Sequence, residues 1–326
     1  MKKTSIVFPL YNEEQRLNKL FKGIKNFSKA KINKSYEFIF VDDGSTDRTF
    51  DKLAGWAKID KSVKVISLSR NFGKEAAMTA GLKAASGDAV IFMDVDLQDP
   101  AELIEHFIEK WNRGFDVVYA RRVTRPGDSW LKVVTASLYR FTFNRLSEIS
   151  IPIGSGDYRL IDRKVGDALL LLNERNRFMK GIFAWVGFRT TSIPFERASR
   201  VGGKSQWNYW KLWNFGLDGI VGFSNAPLRF WLYLGLFVFL LSSALAFLII
   251  IQKLFFGINP EGYSSLMVAV PIFGGLQLLA LGVIGEYVGR ILIEIKGRPL
   301  FFVDKTIGFE NRIMVKNGML DNDKSQ

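Results

Sequence analysis

Short apolar runs and amphipathic stretches alternate along the first 228 residues of the chain. Apolar runs of about four to eight residues bounded by turn-forming residues are typical of buried strands, and the amphipathic stretches between them are typical of helices. The pattern predicts strands over 4–10, 36–41, 63–68, 89–93 and 116–120, and helices over 13–29, 48–58, 74–85 and 100–113. This alternation predicts an α/β fold with a mostly parallel sheet and helices on both faces.

Two long uncharged stretches follow this region. Residues 230–252 and 262–285 carry no charged side chain, and each exceeds the roughly 20 residues needed to cross a bilayer core. A Gly- and Pro-containing turn separates them, which predicts a transmembrane hairpin with helices at about 230–252 and 264–287. A buried core helix is the alternative for either stretch taken alone.

The distribution of lysine and arginine predicts the orientation of this hairpin. Basic residues flank the side opposite the turn, and the positive-inside rule then places both termini in the cytoplasm. We expect three parts: a cytoplasmic α/β domain (1–228), two transmembrane helices (229–290) and a cytoplasmic C-terminal tail (291–326).

Two further stretches, at about 129–145 and 204–218, interleave aromatic and basic residues. Such helices commonly lie in the headgroup plane of a membrane, although packing onto the α/β domain is the alternative. For the second stretch, tryptophans immediately before the first apolar span favour the membrane interface.

Composition narrows the chemistry. The chain has no cysteine, which excludes disulfides and thiolate metal sites, and its one histidine, His106, lies in a predicted helix where a surface role is expected. The net charge of +13 fits an anionic partner, which could be nucleic acid, a membrane surface or a phosphorylated substrate. Because basic residues concentrate near the apolar spans, we expect anionic lipid and no nucleic acid.

Asp94 and Asp96 follow the apolar run 89–93. Two carboxylates one residue apart at the carboxyl end of a strand repel each other unless a cation lies beside them. Oxygen ligands of this kind suit Mg²⁺ or Mn²⁺. Helix capping before Pro100 is the alternative, and Asp99 suits that role better than the pair does.

Polar residues also follow the first two predicted strands. Tyr11, Asn12 and Glu13 come after the first strand and Asp43 after the second, so these side chains would form one rim with Asp94. No Gly-x-Gly-x-x-Gly and no Gly-x4-Gly-Lys-[Ser/Thr] is present, and dinucleotide oxidoreductases and P-loop enzymes therefore lack their phosphate loops here.

Five motifs resemble those of family 2 glycosyltransferases with the GT-A fold: PLYNEE (9–14), VDDGSTDRT (41–49), SRNFGKEAAMTAGL (69–82), DVDLQDP (94–100) and RVGGKSQW (200–207). Together with the apolar hairpin, they are similar to the polyprenyl-phosphate glycosyltransferases. This group resembles dolichyl-phosphate mannose synthase and includes the bacterial GtrB-type undecaprenyl-phosphate glucosyltransferases.

The resemblance implies roles for individual residues. Nucleotide-sugar binding is implied for ten residues, metal binding for three and a catalytic role for Asp96 and Asp157. The metal ligands would be Asp94, Asp96 and Gln98. The nucleotide-sugar site would comprise Pro9, Tyr11, Glu13, Val41, Asp43, Asp94, Asp96, Arg121, Arg200 and Lys204, with Arg122 a rival to Arg121. Many relatives have Ser-Lys where this chain has Ser205-Gln206, so a lysine–phosphate contact is either missing here or supplied by Lys204.

The implied reaction is inverting transfer of a hexose from a nucleotide sugar to polyprenyl (undecaprenyl) phosphate, with Mg²⁺ or Mn²⁺ as cofactor. UDP-glucose is the expected donor, and GDP-mannose, another nucleotide sugar or a non-catalytic membrane sensor are the alternatives. Asp157 could act as a base or orient the reactants. We expect a multi-pass protein of the bacterial inner (plasma) membrane that forms a homo-oligomer, for which a tetramer is one candidate.

Overall fold

A computed structural model gives the fold of residues 2–30, 35–95, 100–123, 154–172, 174–175, 177–195, 226–256, 262–309, 313–316 and 319–322. The strands are β1 (Lys3–Leu10), β2 (Ser35–Asp42), β3 (Val63–Leu68), β4 (Ala89–Phe92), β5 (Val117–Arg122), β6 (Ser155–Asp162), β7 (Thr190–Phe195), β8 (Val303–Ile307), β9 (Ile313–Lys316) and β10 (Met319–Asn322). The helices are α1 (Glu14–Ala30), α2 (Thr49–Ile59), α3 (Lys74–Ala84), α4 (Leu103–Asn112), α5 (Arg163–Leu171), α6 (Met179–Trp185), α7 (Ala226–Phe256) and α8 (Tyr263–Ile295).

The five strands and four helices that the sequence predicts before residue 124 are confirmed. Strands β1 to β8 form one sheet in the order β7-β5-β6-β4-β1-β2-β3-β8, while β9 and β10 pair separately. Four of the seven neighbouring pairs in the large sheet are parallel, which confirms the α/β fold with a mostly parallel sheet. The three antiparallel pairs involve β6 and β8, which the apolar pattern did not predict.

Alternating side chains along the strands fill two apolar layers, one on each face of the sheet. Ile6 and Phe8 of β1 face one layer, which includes residues of α1, α2 and α4. Val7 faces the other layer, which includes residues of α3, α5 and α6. Burial on both faces explains why the central strands read as continuous apolar runs, and it leaves the strand ends as the polar edge.

The helices α7 and α8 are 31 and 33 residues long, and many of their large hydrophobic side chains are exposed. In the part of the chain that the structure covers, no helix was found to be both long and apolar enough to cross a membrane. The membrane hairpin therefore stays a prediction.

After α8 the chain returns to the large sheet. The backbone N–H of Arg175 donates to Glu294 near the end of α8 at 2.7 Å. Ser69 N–H donates to the carbonyl of Phe302 at 2.9 Å, and β8 then pairs antiparallel with β3. Part of the predicted C-terminal tail thus completes one edge of the large sheet.

Candidate active site

The loops after β1 and β2 are hydrogen-bonded to each other. The side-chain oxygen of Asn12 accepts the Thr46 N–H at 2.8 Å, and the Asn12 N–H donates to Ser45 Oγ at 2.9 Å. Asn12 has a φ of 53°, a left-handed conformation that asparagine tolerates better than most residues. These bonds hold the two predicted nucleotide-binding loops together as one rim.

The predicted donor residues on this rim differ in exposure. Tyr11 is 45% exposed and available to a ligand. Glu13 forms an ion pair with Arg16 at 2.7 Å, whereas Pro9 lies within β1. Val41 is fully buried beneath α3, so any contact it makes with a nucleotide would involve its main chain.

Asp43 is buried and fixes the approach to α3. Its two carboxylate oxygens accept the backbone N–H groups of Phe72 at 2.7 Å and Gly73 at 2.9 Å. Burial raises the pKa of Asp43 above its usual value, and these two hydrogen bonds offset the effect only in part. The loop that begins α3 is therefore attached to the end of β2, and nucleotide binding by Asp43 stays a prediction.

The register of β4 and β6 brings two predicted site residues together. The strands run antiparallel with Phe92 opposite Arg159. Asp94, two residues after Phe92, therefore lies level with Asp157, two residues before Arg159. Lys74, the first residue of α3, joins them. Its Nζ lies 2.6 Å from Asp94 Oδ1 and 2.7 Å from Asp157 Oδ2.

This cluster is charged and partly shielded from water. Burial opposes ionisation of Asp157, but Lys74, Lys180 and Arg159 hold the pKa of that carboxyl well below its usual range. Burial likewise opposes the charge on Lys74, yet Asp94 and Asp157 outweigh it and raise the pKa of the ammonium. Both groups are therefore ionised at neutral pH.

A second carboxylate, Glu75, lies next to this cluster. Its Oε2 is buried without a hydrogen-bond partner among the residues described. Burial and the charge of Asp157 raise the pKa of Glu75 to about 7, against the opposing effect of Lys74, Lys180 and Arg159. Glu75 thus titrates close to neutral pH.

Arg159 supports the same cluster from the sheet. It is buried, donates to the carbonyl of Gly156 at 2.6 Å, and its guanidinium lies 3.9 Å from the centre of the Phe183 ring. Burial lowers the pKa of Arg159 to about 10, so the side chain still carries its charge at neutral pH.

The carboxylate donors that the structure describes fit a hard divalent cation, although they do not form a full ligand set by themselves. Lys74 engages Asp94 through Oδ1, which leaves Oδ2 for a cation, and oxygen ligands suit Mg²⁺ or Mn²⁺. Among the described residues no group of three or more His, Cys, Asp or Glu side chains is arranged to hold a metal. Asp96 and Gln98, the other predicted ligands, lie outside the described residues.

The remaining predicted residues fall in two groups. Arg121 is exposed on β5 and pairs in register with Ser155, near the start of β6. Arg200, Lys204 and both predicted interfacial stretches lie outside the described residues, as does the side chain of Arg122. His106 is 63% exposed, which confirms its expected surface position.

Lys74, Glu75 and Arg159 are functional candidates that the sequence motifs did not single out. The first two lie in the SRNFGKEAAMTAGL motif, which was used only to identify the resemblance. A Gly-Lys-Glu sequence at the start of a small-residue helix after a strand is the signal that could have found them, because such helix starts face the carboxyl edge of the sheet.

Comparison with known proteins gives matches in both parts of the chain. The family described as "Glycosyl transferase family 2" matches residues 5–170, and the one described as "GtrB C-terminal hairpin" matches residues 226–291. An uncharacterized glycosyltransferase of Synechocystis is 50% identical over 94% of this chain and 96% of its own length. The SfII prophage-derived bactoprenol glucosyl transferase of Shigella flexneri is 46% identical over 93% of this chain and 98% of its own.

A solved structure also matches. It is glucosyl-3-phosphoglycerate synthase from Mycobacterium tuberculosis in complex with Mn²⁺, UDP-glucose and phosphoglyceric acid. The two chains are 20% identical, with a TM-score of 0.44 over 68% of this chain and 78% of that one.

Proposed function

Because the chain belongs to glycosyltransferase family 2 and is of the GtrB type, we infer that it transfers a sugar from a nucleotide sugar to a polyprenyl phosphate. One observation supports assigning this function to particular residues. Asp94, Lys74 and Asp157 form a cluster beside the rim of the first two strand loops. A charged cluster at the carboxyl edge of an α/β sheet is where such a fold binds its ligands.

We propose UDP-glucose as the donor, bound along the rim by Pro9, Tyr11, Glu13, Val41 and Asp43. Support comes from the 46% identity to a bactoprenol glucosyl transferase and from the exposure of Tyr11 at the rim. Arg121, Arg200 and Lys204 are proposed to contact the phosphates, because guanidinium and ammonium groups are suited to phosphate oxygens.

Asp94, Asp96 and Gln98 are proposed to hold Mg²⁺ or Mn²⁺, which when bound would supply positive charge to the leaving diphosphate. In the transfer, an oxygen of the acceptor phosphate forms a bond to the anomeric carbon from the face opposite the diphosphate. The bond from that carbon to the diphosphate oxygen breaks, and the diphosphate leaves with the electron pair.

Asp157 is proposed to orient the reactants rather than to remove a proton. The acceptor phosphate monoester has its second pKa near 6, so it is largely a dianion at neutral pH and needs no base. The low pKa of Asp157 also makes this carboxylate a weak base. Its charge would instead hold Lys74 in place.

We propose that α7 and α8 form a membrane hairpin that keeps the enzyme at the bilayer where its acceptor lies. Support comes from the uncharged stretches 230–252 and 262–285, the many exposed large hydrophobic side chains along both helices, and the match to a GtrB C-terminal hairpin. The catalytic domain and tail would lie on the cytoplasmic face of a bacterial inner membrane, with stretches 129–145 and 204–218 at its surface. A homo-oligomer, with a tetramer as one candidate, is proposed for this hairpin.

The test is a transfer assay on the purified full chain in lipid nanodiscs. Undecaprenyl phosphate is incubated with labelled UDP-glucose, GDP-mannose or other nucleotide sugars, in Mg²⁺, Mn²⁺ or EDTA, and lipid-linked sugar is measured after extraction. We expect glucose transfer that EDTA abolishes and that Asp94→Asn lowers at least ~100-fold, whereas Glu102→Gln, at an exposed position just before α4, leaves it unchanged. Absence of lipid-linked product with every donor would contradict the proposed function.

A further inference from the structure

Lys74 holds a fixed position at the carboxyl edge of the sheet, beside Asp94 and Asp157. It is the first residue of α3, and the two residues before it, Phe72 and Gly73, are bound through their backbone N–H groups to the buried carboxylate of Asp43. The start of the helix therefore cannot shift without breaking two charge-assisted hydrogen bonds. Lys74 is presented toward the gap between β4 and β6.

The ammonium of Lys74 has unused capacity to bind an anion. It carries three N–H donors, and in the described part of the chain its partners are Asp94 and Asp157, at 2.6 Å and 2.7 Å. The side chain is 40% exposed, which is more than either carboxylate. A ligand can therefore reach the charge from solvent while both carboxylates hold it in place.

An anionic acceptor needs a cation at this position. The attacking phosphate is a dianion and would be repelled by Asp157 and by Asp94 if these carboxylates were not neutralised. Arg159 is a poor candidate for direct contact, because it is buried and already engaged with Gly156 and the Phe183 ring. Among the residues that the structure describes, Lys74 is the cation that is paired to both carboxylates and exposed to a ligand.

We propose that Lys74 is a catalytic residue that binds the phosphate of the lipid acceptor and directs it toward the anomeric carbon of the donor sugar. This inference rests on the proposed function, since it assumes a phosphate acceptor. Asp94 and Asp157 act on Lys74 by fixing its Nζ, and the third N–H donor contacts a phosphate oxygen. The nucleoside part of the donor is bound elsewhere, on the rim formed by the first two strand loops.

The test compares Lys74→Met and Lys74→Arg with Lys58→Met, which removes an exposed lysine from the last turn of α2. Binding of a short-chain polyprenyl phosphate is measured without donor by native mass spectrometry, and binding of UDP-glucose is measured by calorimetry. Initial rates give separate KM values for donor and acceptor. Thermal unfolding of each variant reports whether the fold is kept.

We expect Lys74→Met to weaken acceptor binding at least ~10-fold and to lower kcat/KM for the acceptor ~100-fold or more. Donor binding should stay within ~3-fold of wild type, Lys74→Arg should recover part of the acceptor affinity, and Lys58→Met should match wild type. The inference is overturned if Lys74→Met binds acceptor normally, or if donor binding falls as much as acceptor binding. If Lys74→Met unfolds, the same two measurements on Lys74→Gln, which also removes the charge, decide, with unchanged acceptor affinity and KM overturning it.

These outcomes are distinct from failure of the proposed function. If wild type neither binds polyprenyl phosphate nor forms a lipid-linked product, the proposed function fails, and the Lys74 assignment fails with it. If wild type transfers sugar and Lys74→Met transfers it equally well, only the Lys74 assignment is lost.

Discussion

The surroundings of Glu75 disfavour the charged form of its side chain. It lies beside Asp157, its Oε2 is buried without a partner among the described residues, and its pKa is raised to about 7. The cations that face it are Lys74 from the same helix, Lys180 from α6, Arg159 from β6 and Arg177 just before α6, and they offset burial only in part. The charge of the site is therefore sensitive to pH near neutrality.

Glu75→Gln should change how stability depends on pH. The unfolded chain releases the Glu75 proton near pH 4.5 and the folded chain near pH 7, so the wild-type fold loses stability as pH rises through this window. The variant should be more stable than wild type by ~1–3 kcal/mol at pH 8 and close to wild type at pH 4.5. Thermal unfolding at both pH values measures this, with Glu102→Gln as control; equal shifts at the two pH values would refute it.

Asp157→Asn should lower transfer ~100-fold, and this loss should be the same at every pH from 6 to 8. The reason is that the pKa of Asp157 lies far below this range, so the carboxylate stays ionised and serves to hold Lys74. The kcat/KM profile of the variant against wild type measures the effect. A loss that is large at pH 6 and absent at pH 8 would instead assign proton abstraction to Asp157.

At the level of single residues, the sequence singled out Asp94 and Asp157 but not the lysine that contacts both. Asp94 and Asp157 could be assigned from motifs at strand ends and from family resemblance. The contact of Lys74 with both depends on the antiparallel register of β4 and β6, in which Phe92 faces Arg159. No local pattern encodes that register, because it arises from long-range pairing.

Among the helices and strands, α3 determines the position of Lys74 at the carboxyl edge of the sheet. It packs on β1 and β2 through small residues, and Gly81 is the closest approach: a Cβ there would lie 2.2 Å from Val7 Cγ1 and 3.2 Å from Val41 Cγ2. Any side chain at this position would push the helix, and Lys74 with it, away from the sheet.

Gly81→Ala and Gly55→Ala form a matched pair of helix-glycine substitutions. A Cβ at Gly55 in α2 would meet nothing within 4 Å. Gly55→Ala should stabilise the fold by ~0.5–1 kcal/mol through helix propensity, whereas Gly81→Ala should destabilise it by ~1–3 kcal/mol through overpacking. Thermal unfolding measures both; the packing account is lost if the two variants shift the midpoint in the same direction.

The hydrophobic pattern of the sequence predicted some strands and helices well and missed others. The apolar runs of β1 to β5 and the amphipathic α1, α2 and α4 were found to within three residues. β6 begins Ser-Gly-Asp, β7 contains a proline and β8 is five residues long with three polar positions, so none of them shows the apolar run of a central strand. Their strand conformation depends on pairing with an existing sheet, which local periodicity cannot reveal.

Across the whole molecule, the segment after α8 connects the proposed membrane hairpin to the catalytic domain. Phe301 and Val303 are buried in the layer that includes α3, and β8 covers the edge of β3. At the end of α8, Arg175 contacts both Glu294 and the carbonyl of Gly297. The position of the hairpin is therefore tied to the sheet that carries the site.

Two truncations should separate the structural role of this segment from that of the residues that follow it. A chain ending at residue 297 loses β8 and the buried side chains of Phe301 and Val303, while a chain ending at residue 312 keeps them. Losing a paired edge strand and a buried phenylalanine costs ~3–5 kcal/mol, which for a domain of this size lowers the unfolding midpoint by roughly 10 °C. The longer truncation should unfold within ~2 °C of the full chain.

Thermal unfolding of the three proteins in the same nanodiscs measures this, and transfer activity is recorded below the lower midpoint. Because β8 supports β3, and β3 leads into the loop that Asp43 holds at the start of α3, we expect the shorter chain to lose activity as well as stability. If both truncations unfold at the temperature of the full chain, β8 does not stabilise the sheet. Lower stability with unchanged activity would show that the edge strand supports the fold without positioning Lys74.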